Sequence, residues 1–207
     1  MDLSLYVLTD RNLSRGRSHA DIVRAAVAGG ATAIQYREKE ASTRVMVEDA
    51  RELRAVARAA GVLFIVNDRV DVAMAVDADG VHVGQDDMPA DLVRKLIGPD
   101  KIIGVSAGNV PDALRAEADG ADYLGVGAIY ATATKADAGM PTGLAALTEI
   151  KRQVKLPIVG IGGINLDNAA AVIKAGADGI SVVSAVVSAE DVAEAARRLK
   201  ETVLQSK

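Results

Sequence analysis

The 207-residue sequence predicts an α/β fold, a single (β/α)8 TIM barrel, from three observations. Apolar, β-branched stretches of strand length recur eight times, helix-patterned segments alternate with them, and the turns from helix back to strand repeat one glycine-containing phrase. Eight consecutive βα units in a chain of about this length fill one barrel and leave no room for a second domain, so residues 1–207 are expected to form it together.

The first strand is expected at Leu5–Leu8, followed by a helix over Ala20–Ala28. The second strand, Thr32–Tyr36, precedes a helix over Arg44–Ala60 whose Ala, Leu, Glu and Arg are strong helix formers. The third and fourth strands read as Leu63–Val66 and Gly80–Val83, with a helix over Asp91–Ile97 leading to the fifth, Ile102–Val105. The sixth is Tyr123–Val126, then come a helix over Leu144–Val154, the seventh strand Ile158–Ile161 and a helix over Asp167–Lys174. The eighth, Gly179–Val183, is followed by a last helix over Asp191–Val203, whose alternating acids and bases read as a solvated face. In the phrases "AGGATAIQ", "DADGVHVG", "ADGADYLGVG" and "AGADGISVV" Gly can take the left-handed helix cap, and the next strand starts at once. A doubly wound open sheet is the alternative, but it would carry a glycine fingerprint after its first strand, and "YVLTDRN" has none.

Composition narrows the function. Half of the residues are hydrophobic, enough for a large core, and a net charge of −4 with a pI near 5.3 argues against nucleic-acid or membrane partners. Without Cys there are neither disulfides nor thiolate metal sites. The N-terminus lacks the basic and apolar stretches of a signal peptide, so a soluble cytoplasmic protein acting on small molecules is expected, with a homo-oligomer left open.

In a barrel, function sits where strands end. There the sequence offers Gln35, Arg37 and Lys39 in "QYREK", Asn67 and Asp68, Gln85, Asp86 and Asp87, and Ser106. A long sixth loop, "GAIYATATKADAG", holds Thr132, Thr134, Lys135 and Asp137, and "GIGGIN" and then Val183 and Ser184 end the last two strands. Two anion sites are implied. Neighbouring strands lie about 4.8 Å apart, so Asp68 and Asp87 can reach one ion together, and Mg²⁺ typically takes one or two carboxylates and completes its shell with water and phosphate oxygens. Arg37, Lys39 and Lys135 would neutralise the rest of a diphosphate. The second site is a phosphate cradle of glycine N–H groups after the seventh strand and a helix start after the eighth. Singly, each residue has a structural reading: a solvated strand end for Arg37 and Lys39, a helix cap for Asp68, loop acids for Asp86, Asp87 and Asp137, turn residues for Thr132 and Thr134. His82 reads as a hydrogen-bonded barrel residue and His19 as a residue at the first helix start.

In the order "QYREK", "VNDR", "HVGQDD", "GVS", "TATK", "GIGGI" and "VVSA", the chain resembles the thiamine-phosphate synthases from "YVLTD" to "VVSAV". The resemblance implies a Mg²⁺-dependent transferase of thiamine biosynthesis that joins a hydroxymethylpyrimidine diphosphate to a thiazole phosphate and releases diphosphate. It assigns the pyrimidine diphosphate to Gln35, Tyr36, Arg37, Glu38, Lys39, Asn67, Ser106 and Lys135, with Arg37, Lys39, Ser106 and Lys135 as the catalytic groups. It makes Asp68 and Asp87 the metal ligands and gives the thiazole phosphate to Thr132, Ala133, Thr134, Gly163, Val183 and Ser184. The chain departs from the family in loop six, where Ala128 and Ala131 stand in place of Pro and Tyr130 in place of Phe. With two His and no Cys, covalent catalysis has little support. Two other readings stay open at this point: a thiazole tautomerase, which needs the phosphate cradle but no diphosphate site, and a non-catalytic phosphate-binding barrel.

Overall fold

Side chains alternate across a strand, and along β1 (Leu5–Leu8) this sends Leu5 and Val7 out toward the helices and Tyr6 and Leu8 into the barrel. The same parity holds in β2 (Ala33–Tyr36), β3 (Leu63–Asn67) and β6 (Tyr123–Val126). Ala33, Ile65 and Tyr123 face inward, while Ile34, Tyr36, Phe64, Val66, Leu124 and Val126 face the helical layer. With β4 (Gly80–Val83), β5 (Ile102–Ala107), β7 (Ile158–Ile161) and β8 (Gly179–Val182), these strands form a closed parallel barrel in sequence order. Tyr6 opposite Ser181 is part of the β1–β8 register that closes it. A computed structural model describes residues 1–132 and 140–207 of the chain.

The helices outside are α1 (His19–Ala28), α2 (Thr43–Ala59), α3 (Val70–Ala75), α4 (Ala90–Ile97), α5 (Val110–Ala118), α6 (Gly143–Gln153), α7 (Ala169–Lys174), α8 (Ser184–Val187) and α9 (Val192–Ser206). Each of the longer ones buries a narrow stripe. In α2 it is Met46, Ala50, Leu53 and Ala57; in α9 it is Val192, Ala196, Leu199 and Val203. Ser42 caps α2 by accepting the Val45 N–H, and Asp191 caps α9 by accepting that of Glu194. Fully buried Ile34, Leu53, Phe64 and Ile103 each contribute about 1.5–3 kcal/mol by leaving water.

At the far end of the barrel from the site, the repeated phrase has a physical basis. The residue just before each even strand accepts a hydrogen bond from a backbone N–H at the start of the strand before it. Thr32 Oγ1 takes Leu5 N–H at 3.1 Å, and carboxylates of Asp79, Asp122 and Asp178 take those of Phe64, Ile103 and Ile158 at 2.8, 2.7 and 2.8 Å. Each aspartate also meets a cation from an even helix: Arg54 at 3.0 Å, Arg94 at 2.6 Å and Lys151 at 2.8 Å. The structural repeat is thus a pair of βα units.

The structure adds elements that the sequence reading does not name. α3 is short, α5 starts from an Asn109 cap on the Asp112 N–H, and α8 is a single turn placed before α9. β8 ends at Val182, one residue early, because Val183 turns to φ −118°, ψ −85° to start α8. Among the described residues no helix is long and apolar enough to cross a membrane.

Candidate functional site

Parity also divides the "QYREK" run. Gln35, Arg37 and Lys39 line a cavity of about 460 Å³ at the C-terminal end of the barrel, whereas Tyr36 and Glu38 turn outward and do not. Tyr36 is fully buried, and its hydroxyl donates to Asp49 on α2 at 3.1 Å. Glu38 accepts from Arg11 Nε at 2.8 Å and from its own loop's Glu40 N–H at 2.9 Å, with His19 Nε2 3.4 Å away. Burial alone would push the Glu38 carboxyl up, but these hydrogen bonds, led by Arg11, outweigh it and hold the group at about 2. An ionised Glu38 therefore fixes the β2–α2 loop from behind, and any part that Tyr36 and Glu38 take at the cavity is through the main chain.

Facing the cavity, Arg37 Nη1 is clamped by Asp10 Oδ2 at 2.6 Å, with the two side chains 17% and 10% exposed. Asp10 is held in turn by the N–H groups of Asn12 and Leu13. Lys39 pairs with Asp68, which sits in the left-handed region at φ 59° directly after β3. That conformation is uncommon outside glycine, though Asp is among the residues that adopt it, and it occurs at the point where the carboxylate meets the cavity. Asp87, after β4, accepts the Gly84 N–H at 2.8 Å. Burial first, and the neighbouring Asp68 charge after it, push the Asp87 carboxyl above its ordinary range against the effect of that N–H. Asn67, His82, Gln85 and Ser106 complete this side of the cavity, with the exposed Asp86 at its rim.

The opposite side is built from β7, β8 and the start of loop six. Gly163, at φ 65°, needs glycine twice over, since a Cβ there would lie 2.6 Å from the Ala131 carbonyl and 2.8 Å from Tyr130 Cβ. The first residues of loop six lie directly on this turn: Ile129 and Tyr130 N–H donate to the carbonyls of Ile161 and Gly162 at 2.8 and 3.0 Å, and Thr142 N–H donates to the Ala128 carbonyl at 2.8 Å. Gly162, Gly163, Val183, Ser184 and Thr132 share the one cavity with Arg37 and Asp68. Ala133, Thr134, Lys135 and Asp137 lie outside the described residues.

The donor set bears on a metal. Among the described residues no group of three or more His, Cys, Asp or Glu could enclose an ion. The pair Asp68 and Asp87 instead suits a cation that takes one or two carboxylates and leaves its other positions to water and ligand oxygens, which is the habit of Mg²⁺. Charge balance points the same way. The described lining sets Arg37 and Lys39 against Asp68, Asp86, Asp87 and Asp112, so it is net negative, and an added cation would favour entry of a diphosphate.

Sequence reasoning missed Asp10, whose partner lies 27 residues away, just past the end of the next strand. It also missed the polar layer beneath the site, where Tyr6 and Tyr123 are packed ring to ring at 5.9 Å and His82 bonds both Tyr123 and Ser106. His82 is a hydrogen-bonded barrel residue, as its place within a strand suggests, and its ring accounts for the bare Gly104. A Cβ at Gly104 would lie 2.4 Å from His82 Nδ1 and 2.1 Å from Tyr123 Cζ.

Comparison with known proteins agrees with this geometry. The sequence profile of the family described as thiamine monophosphate synthase matches residues 5–186. The thiamine-phosphate synthase of Chloroflexus aurantiacus is 64% identical over 203 residues, covering 98% of this chain and 94% of the relative. That of Moorella thermoacetica is 60% identical over 203 residues, covering 98% and 97%. The structure of thiamine phosphate pyrophosphorylase from Pyrococcus furiosus superimposes with a TM-score of 0.93 at 49% identity, over 99% of this chain and 97% of that one. With a barrel of this register, a cavity at the strand C-termini and full-length relatives at such identity, the chain belongs to the thiamine monophosphate synthase family.

Proposed function

We propose that the chain condenses 4-amino-2-methyl-5-(diphosphooxymethyl)pyrimidine with a thiazole phosphate to give thiamine phosphate and diphosphate, in thiamine biosynthesis, and that it works with Mg²⁺ held by Asp68 and Asp87. The observation that carries this reading is one cavity with two ends suited to anions: Arg37 and Lys39 beside the acid pair, and the Gly162–Gly163 and Val183–Ser184 backbone opposite. A tautomerase or a phosphate-binding barrel has use for the second end only.

In the reaction the C–O bond between the pyrimidine methylene and the diphosphate breaks with both electrons leaving on oxygen, and the thiazole nitrogen lone pair forms the new C–N bond. No side-chain nucleophile is required. Mg²⁺ would supply the positive charge that offsets the departing diphosphate. Arg37, Lys39 and Lys135 add to that stabilisation, and Asp10 and Glu38 keep the first two aimed. Gln35, Asn67 and Ser106 orient the pyrimidine, with Tyr36 and Glu38 contributing main chain only. Thr132, Ala133, Thr134, Gly163, Val183 and Ser184 hold the thiazole phosphate near the reacting carbon. The acidic composition argues against nucleic-acid or membrane partners and leaves small molecules as the ligands.

The test is a two-substrate assay. Purified protein with both substrates and Mg²⁺ is expected to release thiamine phosphate and diphosphate in equal amounts, and chelation to abolish both. Folded protein that makes neither product refutes the reading; undiminished product in chelator refutes the metal.

A further inference from the structure

Five polar side chains run in single file through the barrel interior. Gln35 Nε2 donates to the Tyr6 hydroxyl at 2.8 Å; the Tyr6 and Tyr123 hydroxyls are 2.9 Å apart; Tyr123 meets His82 Nδ1 at 2.9 Å; and His82 Nε2 meets Ser106 Oγ at 3.0 Å. Gln35, Tyr6 and Tyr123 are 2%, 1% and 0% exposed, and His82 is 9% exposed. Gln35 and Ser106, the two ends of the file, both line the cavity, as do Tyr6 and His82 between them.

The Gln35 end gives the file a direction, because its amide N–H is the donor to Tyr6. Burial raises both phenols far above their ordinary range, so each tyrosine is neutral and has one proton to donate. The Tyr6–Tyr123, Tyr123–His82 and His82–Ser106 distances fit either direction, and Tyr6 already takes the Gln35 amide N–H. With neutral His82, the order that uses every proton of the file has Tyr6 donating to Tyr123, Tyr123 to Nδ1 of His82, and the Nε2 proton facing Ser106 Oγ. Ser106 thus accepts from below and keeps its hydroxyl proton for the cavity, while the Gln35 carbonyl remains an acceptor at the other end. In the opposite order, with the Gln35 side-chain carbonyl accepting from Tyr6, the Ser106 proton would be spent on His82 and Ser106 would offer the cavity lone pairs alone.

We propose that Tyr123, which does not line the cavity, is a positioning residue that acts through His82 to make Ser106 a hydrogen-bond donor toward the pyrimidine diphosphate. This rests on the reading of the site given above, in which Ser106 meets that substrate. A donor is what an electron-rich diphosphate or ring atom requires there, and the acceptor at Gln35 comes with it. Gly104 keeps the file taut, since anything larger would displace both the Tyr123 and His82 rings.

Two measurements test this. The first is ¹⁵N NMR of the imidazoles in the ligand-free protein, which has two histidines, with His82→Gln used for assignment. His82 is expected as the Nε2–H tautomer; an Nδ1–H or mixed tautomer overturns the proposal. That spectrum needs no substrate and no Tyr123 variant, so it decides the direction of the file even if condensation is not seen. The second is kinetic. Tyr123→Phe is expected to lower kcat/KM for the pyrimidine diphosphate about 10-fold, the effect of about one hydrogen bond, and to leave KM for the thiazole phosphate unchanged. In a Ser106→Ala background Tyr123→Phe should cost less than 2-fold more, because its effect passes through Ser106. Equal losses in both backgrounds, or a loss shared by both substrates, would show that Tyr123 is only a packing residue.

Discussion

Asp87 and Asp86 are neighbours in sequence with different surroundings. Asp87 is partly buried, takes the Gly84 N–H and lies beside Asp68, whereas Asp86 is exposed at the rim. If Asp87 holds Mg²⁺ against the diphosphate, Asp87→Ala should lower kcat by about 10²-fold or more, as removal of a preorganised electrostatic group does, with little change in melting temperature. Asp86→Ala should stay within a few-fold. Steady-state kinetics with Mg²⁺ varied compares them, and equal effects of the two substitutions would assign Asp87 to structure. Single residues of this kind were legible in the sequence because they stand at strand ends in recognisable runs. The division within "QYREK" was legible too, once alternation is applied to residues 35–39. Asp10 was not, because nothing local distinguishes an acid that caps a turn from one that also grips Arg37 across the β1–β2 gap.

Loops and strand starts carry the next set of consequences. Glu38 is held at about 2, below the ordinary 4.5 of a glutamate, so its contribution to stability is fully present above about pH 4.5 and is lost as pH falls toward 2. Glu38→Gln should flatten the acid limb of the melting-temperature profile between those values, and calorimetry that shows an unchanged limb would contradict the assigned network. At the other end of the barrel, Asp122→Ala removes the acceptor of the Ile103 N–H and the partner of Arg94. A loss of about 1–3 kcal/mol in denaturant unfolding is expected, with kcat unchanged because the site lies at the opposite end. A loss under 0.5 kcal/mol would mean that water replaces the bond. The phrase that contains Asp122 was visible as a repeat and correctly read as a tight turn. The bond it makes was not, since its partner is the start of the preceding strand.

Across the molecule, the strand count and order followed from periodicity, because each βα unit is local and a parallel barrel joins neighbours in sequence. The interior could not be read that way. The file from Gln35 to Ser106 depends on the registers of β2, β1, β6, β4 and β5 together, with Gly104 supplying the space. The site has the same character, for its two ends stand on opposite sides of one closed barrel and meet only when all eight strands are in place. The measurement that tests this arrangement most directly is a crystal structure of the protein soaked with thiamine phosphate, diphosphate and Mg²⁺. Diphosphate is expected against Arg37 and Lys39 with the ion on Asp68 and Asp87, and the phosphate of thiamine phosphate at Gly163 and Ser184. Diphosphate bound at the Gly163–Ser184 end, or an ion that leaves both aspartates untouched, would contradict it.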